Sequence, residues 1–290
     1  MARGLYVGLA GMDIIYYSDN YPKKNEKSTV TQYSIFTGGP AANAAITNSI
    51  LGGESTVLTS IGKSVLGDAI KKDLRSFGVK VLDLSEGIDI QPFISAIMVN
   101  PDDGSRSIWS GQRSFNDITE PDYESLKEFD YCLCDCYMHP HSAKILERIS
   151  KTGMEVVLDV DYYSSTIWDY LPRSTFVFFS KQVESESQGS IEGYCKDSIS
   201  IRGLAVSNDS NPIKWTDFKN RTEGVLEIPP CKSIDTLGAG DILHGAFCHY
   251  FYEKELSFRD SLKKASEVAS MSTTEFGTRK GVQNFISQFP

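Results

Sequence analysis

The chain has 290 residues, 40% of them hydrophobic and 23% charged, enough for one large domain with a full core or one domain with a small addition. Its 29 Lys and Arg against 38 Asp and Glu give a net charge of −9 with no run of like charges, which argues against nucleic acid or an anionic membrane as partner. The apolar run over 5–10 is ended by Asp13 too soon for a signal peptide, and no segment is long enough to span a bilayer, so a cytoplasmic location is expected.

Residues 4–10 read as a buried strand. Residues 16–36 mix aromatics with Lys, Asn, Ser and Thr, and read as exposed strands joined by the Tyr21-Pro22-Lys23-Lys24-Asn25 turn region. Gly38-Gly39-Pro40 opens a small-residue helix over 41–51, closed by Gly52-Gly53. A strand over 56–61 and a helix over 67–77, ended by Gly78, follow. Residues 93–100 and 106–110 form a predicted hairpin around Pro101-Asp102-Asp103-Gly104.

From 131 onward the pattern is strand (131–136), helix (142–151), strand (155–160), strand (175–180), which indicates an α/β domain with a mainly parallel sheet. A strand over 225–228 leads to a helix over 242–253 with Leu243, Phe247, Tyr250 and Phe251 on its apolar stripe, and a last helix covers 261–274. Two stretches, 14–37 and 92–116, break this rhythm and are expected to pair as a small β lid. The main domain is then 1–13, 38–91 and 117–290. The exposed edges of such a lid invite pairing into a homodimer. Six cysteines are present. Cys132, Cys134 and Cys136 share one strand face beside His139 and His141, but their spacing suits small buried hydrophobes better than a zinc site.

The chemistry concentrates in Asp235-Thr236-Leu237-Gly238-Ala239-Gly240-Asp241, a glycine-rich turn running into a helix. Small residues let the backbone approach a ligand, and the free N–H groups of the first helical turn suit phosphate oxygens. A carboxylate there needs a task. Asp241 either stabilises the first turn or takes a proton from a hydroxyl that attacks phosphate.

This motif and Gly38-Gly39-Pro40-Ala41-Ala42-Asn43, in this order and at this separation, resemble the ribokinase-like sugar kinases, the phosphofructokinase-B type family, over essentially the whole chain. Asp13, Gly62 with Gly67, and the 277–281 stretch are weaker matches. Within the family, Met12-Asp13-Ile14-Ile15-Tyr16-Tyr17 and Ser95-Ala96-Ile97-Met98-Val99 are most similar to ketohexokinases and sulfofructose kinases. The resemblance implies a three-layer α/β/α domain with a mainly parallel sheet and a small β lid. It also implies ATP, Mg²⁺ and a sugar acceptor, and it admits K⁺.

Carried over, Asp241 is the catalytic base, and Gly238, Ala239 and Gly240 form the anion hole. Asp13, Gly39 and Asn43 hold sugar hydroxyls, although Asn43 also suits a helix cap and Asp13 a loop. Lys27 and Arg106 are the lid cations expected to meet an anionic group of substrate or nucleotide. Ser180 and Ser207 fall on the nucleotide side with Gly238 and Gly240, and Glu184 is the metal-side carboxylate.

Two departures stand out. Relatives carry an N-x-x-E motif where this chain reads Ser180-Lys181-Gln182-Val183-Glu184, and a T-x-G-x-x-G loop where it reads Ser207-Asn208-Asp209-Ser210-Asn211-Pro212. The expected function is phosphorylation of a primary hydroxyl of a small sugar, a ketose or ketose derivative. The rivals are a nucleoside kinase, whose base would need a slot formed by Tyr16, Tyr17 or Phe36, and a catalytically idle binding protein.

Overall fold

The central strands of the main sheet are mostly buried because both of their faces are covered, whereas the strands at its edges are polar and partly exposed. In the computed structural model, which describes residues 1–30, 32–111, 115 and 118–288, the strands of this sheet are β1 (Arg3–Val7), β4 (Glu54–Thr59), β5 (Lys80–Asp83), β8 (Tyr131–Asp135), β9 (Glu155–Val160), β10 (Phe176–Ser180), β11 (Gly203–Asn208), β12 (Asn211–Asp217) and β13 (Thr222–Leu226). Their order is β13-β12-β11-β10-β9-β8-β1-β4-β5, parallel from β11 to β5, with β12 and β13 antiparallel at one edge.

Strand residues alternate between two cores. Tyr6, Leu133, Val157 and Phe178 join one with α1 (Pro40–Ile50), α2 (Val65–Ser76), α6 (Ala239–Cys248), α7 (Phe258–Ser272) and α8 (Lys280–Gln288). Leu5, Val7, Leu158 and Phe179 join the other with α3 (His141–Ile149), α4 (Lys181–Glu186) and α5 (Ser190–Asp197). The expected three-layer α/β/α architecture is therefore present, and Cys132, Cys134 and Cys136 are buried hydrophobes of the second core.

The small sheet consists of β2 (Gly11–Tyr17), β3 (Gln32–Gly38), β6 (Phe93–Val99) and β7 (Arg106–Ser110), in the order β3-β2-β6-β7. Its inner face packs Ile15, Tyr17, Ile97 and Val99 against Leu237 and Phe276, so the lid rests on the turn that leads into α6. One boundary moves. β2 starts at Gly11, so Asp13 stands on a lid strand, opposite Phe36 and Ser95, and not in a main-domain loop. Of the two stretches given to the lid, residues 31, 112–114 and 116 lie outside the described residues, as does 117 at the start of the main domain.

Other differences are local. The helix expected from 242 begins at Ala239 and gives way to a π-helical turn over His249–Glu253. β5, α8 and the β11–β12 pair carry too little local periodicity to be read in advance. The 207–212 stretch is a tight hairpin turn, with Asp209 in the left-handed region at φ 50°.

Candidate active site

The turn before α6 is built by Asp235. Its carboxylate accepts the N–H groups of Leu237 (2.9 Å) and Gly277 (2.8 Å) and the Tyr17 hydroxyl (3.4 Å), which joins lid, turn and C-terminal region. Gly238 then caps the helix at φ 68°, ψ 11°, and a Cβ there would lie 2.6 Å from Thr278 Cγ2, so only glycine makes this turn without strain. The first helical bond runs from Ile242 N to Gly238 O (2.9 Å), which leaves the N–H groups of Gly240 and Asp241 ahead of it. Gly240 is exposed, so this end of α6 is open to a ligand.

Asp241 is the third residue of α6, and its Oδ2 accepts Asn43 Nδ2 at 2.8 Å across 198 positions of sequence. Burial, with the charges of Asp159 and Asp161, pushes its carboxyl up to about 8, against the Asn43 N–H and the charge of His244. A carboxylate held close to neutral affinity for a proton is suited to general-base work.

Asn43 is oriented in turn by Arg279, whose Nη1 donates to Asn43 Oδ1 at 2.7 Å. The same guanidinium donates to the Thr37 carbonyl and the Thr278 hydroxyl, lies 3.9 Å from Asp73 Oδ2, and stacks 4.9 Å from the Phe36 ring centre. Burial lowers Arg279 to about 10, opposed by Asp73, Asp13 and Asp241. Asp13 is pushed up to about 6 by burial, opposed by Arg279 and Ser95, and glycine at 38 makes room for it, since a Cβ there would sit 1.8 Å from its Oδ2. Asp13, Gly39, Asn43 and Asp241 thus come together at one end of α1 and α6. Arg279 escaped sequence reasoning. Its only signal was a cation just after the Gly277-Thr278 turn.

Beyond Asp241 lie further carboxylates at the carboxyl ends of β8 and β9. Asp161 Oδ2 accepts the Tyr137 hydroxyl at 2.5 Å, and His244 Nδ1 lies 2.9 Å from Asp159 Oδ2. Asp135 accepts the N–H groups of Leu9 (2.8 Å), Tyr137 (3.0 Å) and Ala41 (3.1 Å), yet burial still pushes it up to about 7.

The residues expected on the nucleotide side look different. Ser180 and Ser207 are neighbours in register on β10 and β11, and Ser180 caps α4 by accepting Val183 N at 3.3 Å. Glu184 is engaged with Lys181 at 2.5 Å, beside Glu192, which Lys196 (2.8 Å) and Lys214 (2.9 Å) neutralise. Among the described residues no three His, Cys, Asp or Glu side chains converge as a metal site. Glu184, expected on the metal side, is paired here with the exposed Lys181.

On the lid, Arg106 Nη1 donates to Thr236 Oγ1 at 3.0 Å, and the Gly104 carbonyl accepts the same hydroxyl at 2.7 Å, which sets the hairpin tip against the turn before α6. Lys27 is exposed in the 18–30 segment, and no contact joins it to the described site residues. No helix among the described residues is long and apolar enough to cross a membrane.

Comparison with known proteins agrees with this geometry. The sequence model of the pfkB family of carbohydrate kinases matches residues 1–284. The ribokinase of Dictyostelium discoideum is 24% identical over 303 aligned residues, covering 94% of this chain and 95% of its own. The ketohexokinase of Mus musculus is 24% identical over 301, covering 97% of each. The solved structure of Arabidopsis thaliana ribokinase with ribose and ATP superposes with a TM-score of 0.73 at 19% identity, over 99% of each chain, and shares the fold.

Proposed function

Because the chain belongs to the pfkB family of carbohydrate kinases, we propose that it transfers the γ-phosphoryl group of ATP to a primary hydroxyl of a small sugar, a ketose or ketose derivative. The observation that carries this reading is the Asn43–Asp241 contact at the open N-terminus of α6. Asp13 and Asn43 hold and orient the acceptor. Its hydroxyl oxygen forms the new bond to phosphorus while its proton passes to an Asp241 oxygen. The bond to the ADP oxygen breaks, and the Gly238, Ala239 and Gly240 amides take up the charge of the transferring group. The contact of Arg106 with Thr236 supports a role for its charge at the donor phosphates. Magnesium accompanies ATP as its counter-ion, and no step here uses it.

Two observations favour a sugar over a nucleoside. Tyr16 is exposed on the outer face of the lid, and Tyr17 and Phe36 are already committed, the first to the Phe276 ring at 4.4 Å and the second to Arg279. Those rings are then not free to sandwich a base. ADP release from Mg-ATP against sugars and nucleosides, with and without K⁺, tests the reading. Turnover on one sugar that Asp241→Asn abolishes supports it. Turnover on adenosine alone, or binding without turnover, supports a rival.

The lid also supports pairing of two chains. Tyr16, Tyr33, Ile35 and Trp109 fall on its outer face by strand register and are exposed, and β3 and β7 are both free edges. Sedimentation of the wild type and Trp109→Glu would show a dimer and its loss.

A further inference from the structure

His244 has no part in the steps above, yet it lies one turn along α6 from Asp241, on the same face of the helix. It is buried, with the Phe178 ring 5.0 Å away, and its Nδ1 is 2.9 Å from Asp159 Oδ2. The two groups are within ion-pair distance, although the geometry at that nitrogen is not that of an aligned hydrogen bond.

The groups that act on Asp241 come from five elements. They are Asp159 and Asp161 at the end of β9, Tyr137 after β8, Asn43 on α1, Arg279 before α8, and His244 on α6 itself. Asp159, Asp161 and Asp241 thus face Arg279 and the imidazole of His244, and Asp161 also feels Arg106. Arg279 is already engaged by Asn43, Thr37 and Asp73. His244 lies among the three carboxylates and faces Asp159, Asp241 and Asp161.

We propose that His244 is a positioning residue for the base: as an imidazolium paired with Asp159, it cancels that carboxylate's field at Asp241 and keeps Asp241 able to accept the hydroxyl proton. The inference rests on the reading of Asp241 as base. The charge balance agrees with it. Burial works against a charged imidazole, but Asp159, then Asp241 and Asp161, outweigh it and hold His244 above its ordinary value. Without His244 the negative charge of Asp159 would stand uncompensated, and Asp241 would keep its proton to higher pH.

The test is the pH dependence of kcat/KM for the acceptor at saturating Mg-ATP, for wild type, His244→Asn, Asp159→Asn and the double variant. His244→Asn should move the acid limb up by about one pH unit, so activity falls about tenfold at pH 7 and recovers at high pH. The double variant removes both charges and should return the limb toward wild type. A packing role would lower the rate equally at every pH. An unshifted limb in His244→Asn, or a double variant as shifted as the single, overturns the proposal. His244→Gln, checked by thermal unfolding, covers the case in which Asn does not fold.

An imidazole NMR titration judges the pair without turnover. His244 should stay protonated through neutral pH in the wild type and titrate lower in Asp159→Asn. A neutral His244 at pH 7 in the wild type would overturn the proposal. Turnover kept by Asp241→Asn would instead overturn the base reading, and the inference with it.

Discussion

Asp241 and Asp83 are both carboxylates taken out of water, and their surroundings make them opposites. Asp83 ends β5 with its side chain buried, and it accepts the N–H groups of Ile61 and Ser85 (2.9 Å each) and Gly62 (3.0 Å), with Lys71 Nζ at 2.7 Å. Burial raises its affinity for a proton, but Lys71 and these amides outweigh it and hold the carboxyl below its ordinary range. Asp241 has one neutral amide and the charge of His244, itself shared with Asp159 and Asp161, against burial and those two carboxylates, and sits near 8. The matched charge fastens the bend between β5 and the strand beside it. The one left without such matching costs stability, which is what a proposed general base would trade for reactivity.

Four changes would break or sharpen this contrast. The largest is Asp241→Asn, expected to lower kcat by about 10²–10⁴-fold, as loss of a general base does. The same change should stabilise the protein. An acid whose folded pKa is raised favours folding below its unfolded value near 3.8, and loses that advantage as pH rises to about 8. The gain in Tm over wild type should therefore be small at pH 4, grow through this window and level off above pH 8. A Tm gain of the same size at every pH would remove the contrast.

Lys71→Met is next. It leaves Asp83 buried without its cation, a loss of about 3 kcal/mol, or on the order of 6 °C in Tm, with kcat of the folded protein unchanged. Here the sign is reversed. Asp83 stabilises above its unfolded pKa and loses that contribution as pH falls through the lowered folded value. The deficit should thus be greatest at neutral pH and shrink in acid, as followed by thermal melts from pH 3 to pH 7.

Asn43→Ala removes the one amide donor to Asp241 and an acceptor for Arg279. A drop of about tenfold or more in kcat/KM for the acceptor is expected, with the KM for ATP nearly unchanged, since a bond to a charged group is worth about 1.5–3 kcal/mol. The smallest effect belongs to Glu184→Ala. Its ion pair with an exposed Lys181 is worth about 0–1 kcal/mol, and the KM for Mg-ATP should move less than about twofold. A tenfold rise would support the metal role for Glu184.

The legible parts of this protein were the local ones. The alternation of strands and helices from 131 onward announced an α/β domain with a mainly parallel sheet, Gly38-Gly39-Pro40 announced α1, and the 101–104 turn announced the β6–β7 hairpin, each because nearby residues set backbone shape on their own. β5, only 4 residues long, gives no such period, and neither does the Asn208-Asp209-Ser210-Asn211 turn, whose partner strands carry charge on their exposed edge. Glu184 shows the same limit at the site, because a sequence motif gives the residue but not the lysine that occupies it.

The sequence by itself determined the strand–helix alternation of an α/β domain, the turn before α6 and the carboxylate at its mouth, since these follow from local spacing, while the three layers were what the family resemblance implied. The tertiary structure alone decided that Asn43 would reach Asp241 across 198 positions, that Arg279 would orient Asn43 from 236 positions away, and that Asp159 would meet His244. Those contacts depend on the order of strands in the sheet, which sets distant segments side by side, and the proton affinity of Asp241 follows from charges that no local pattern brings together.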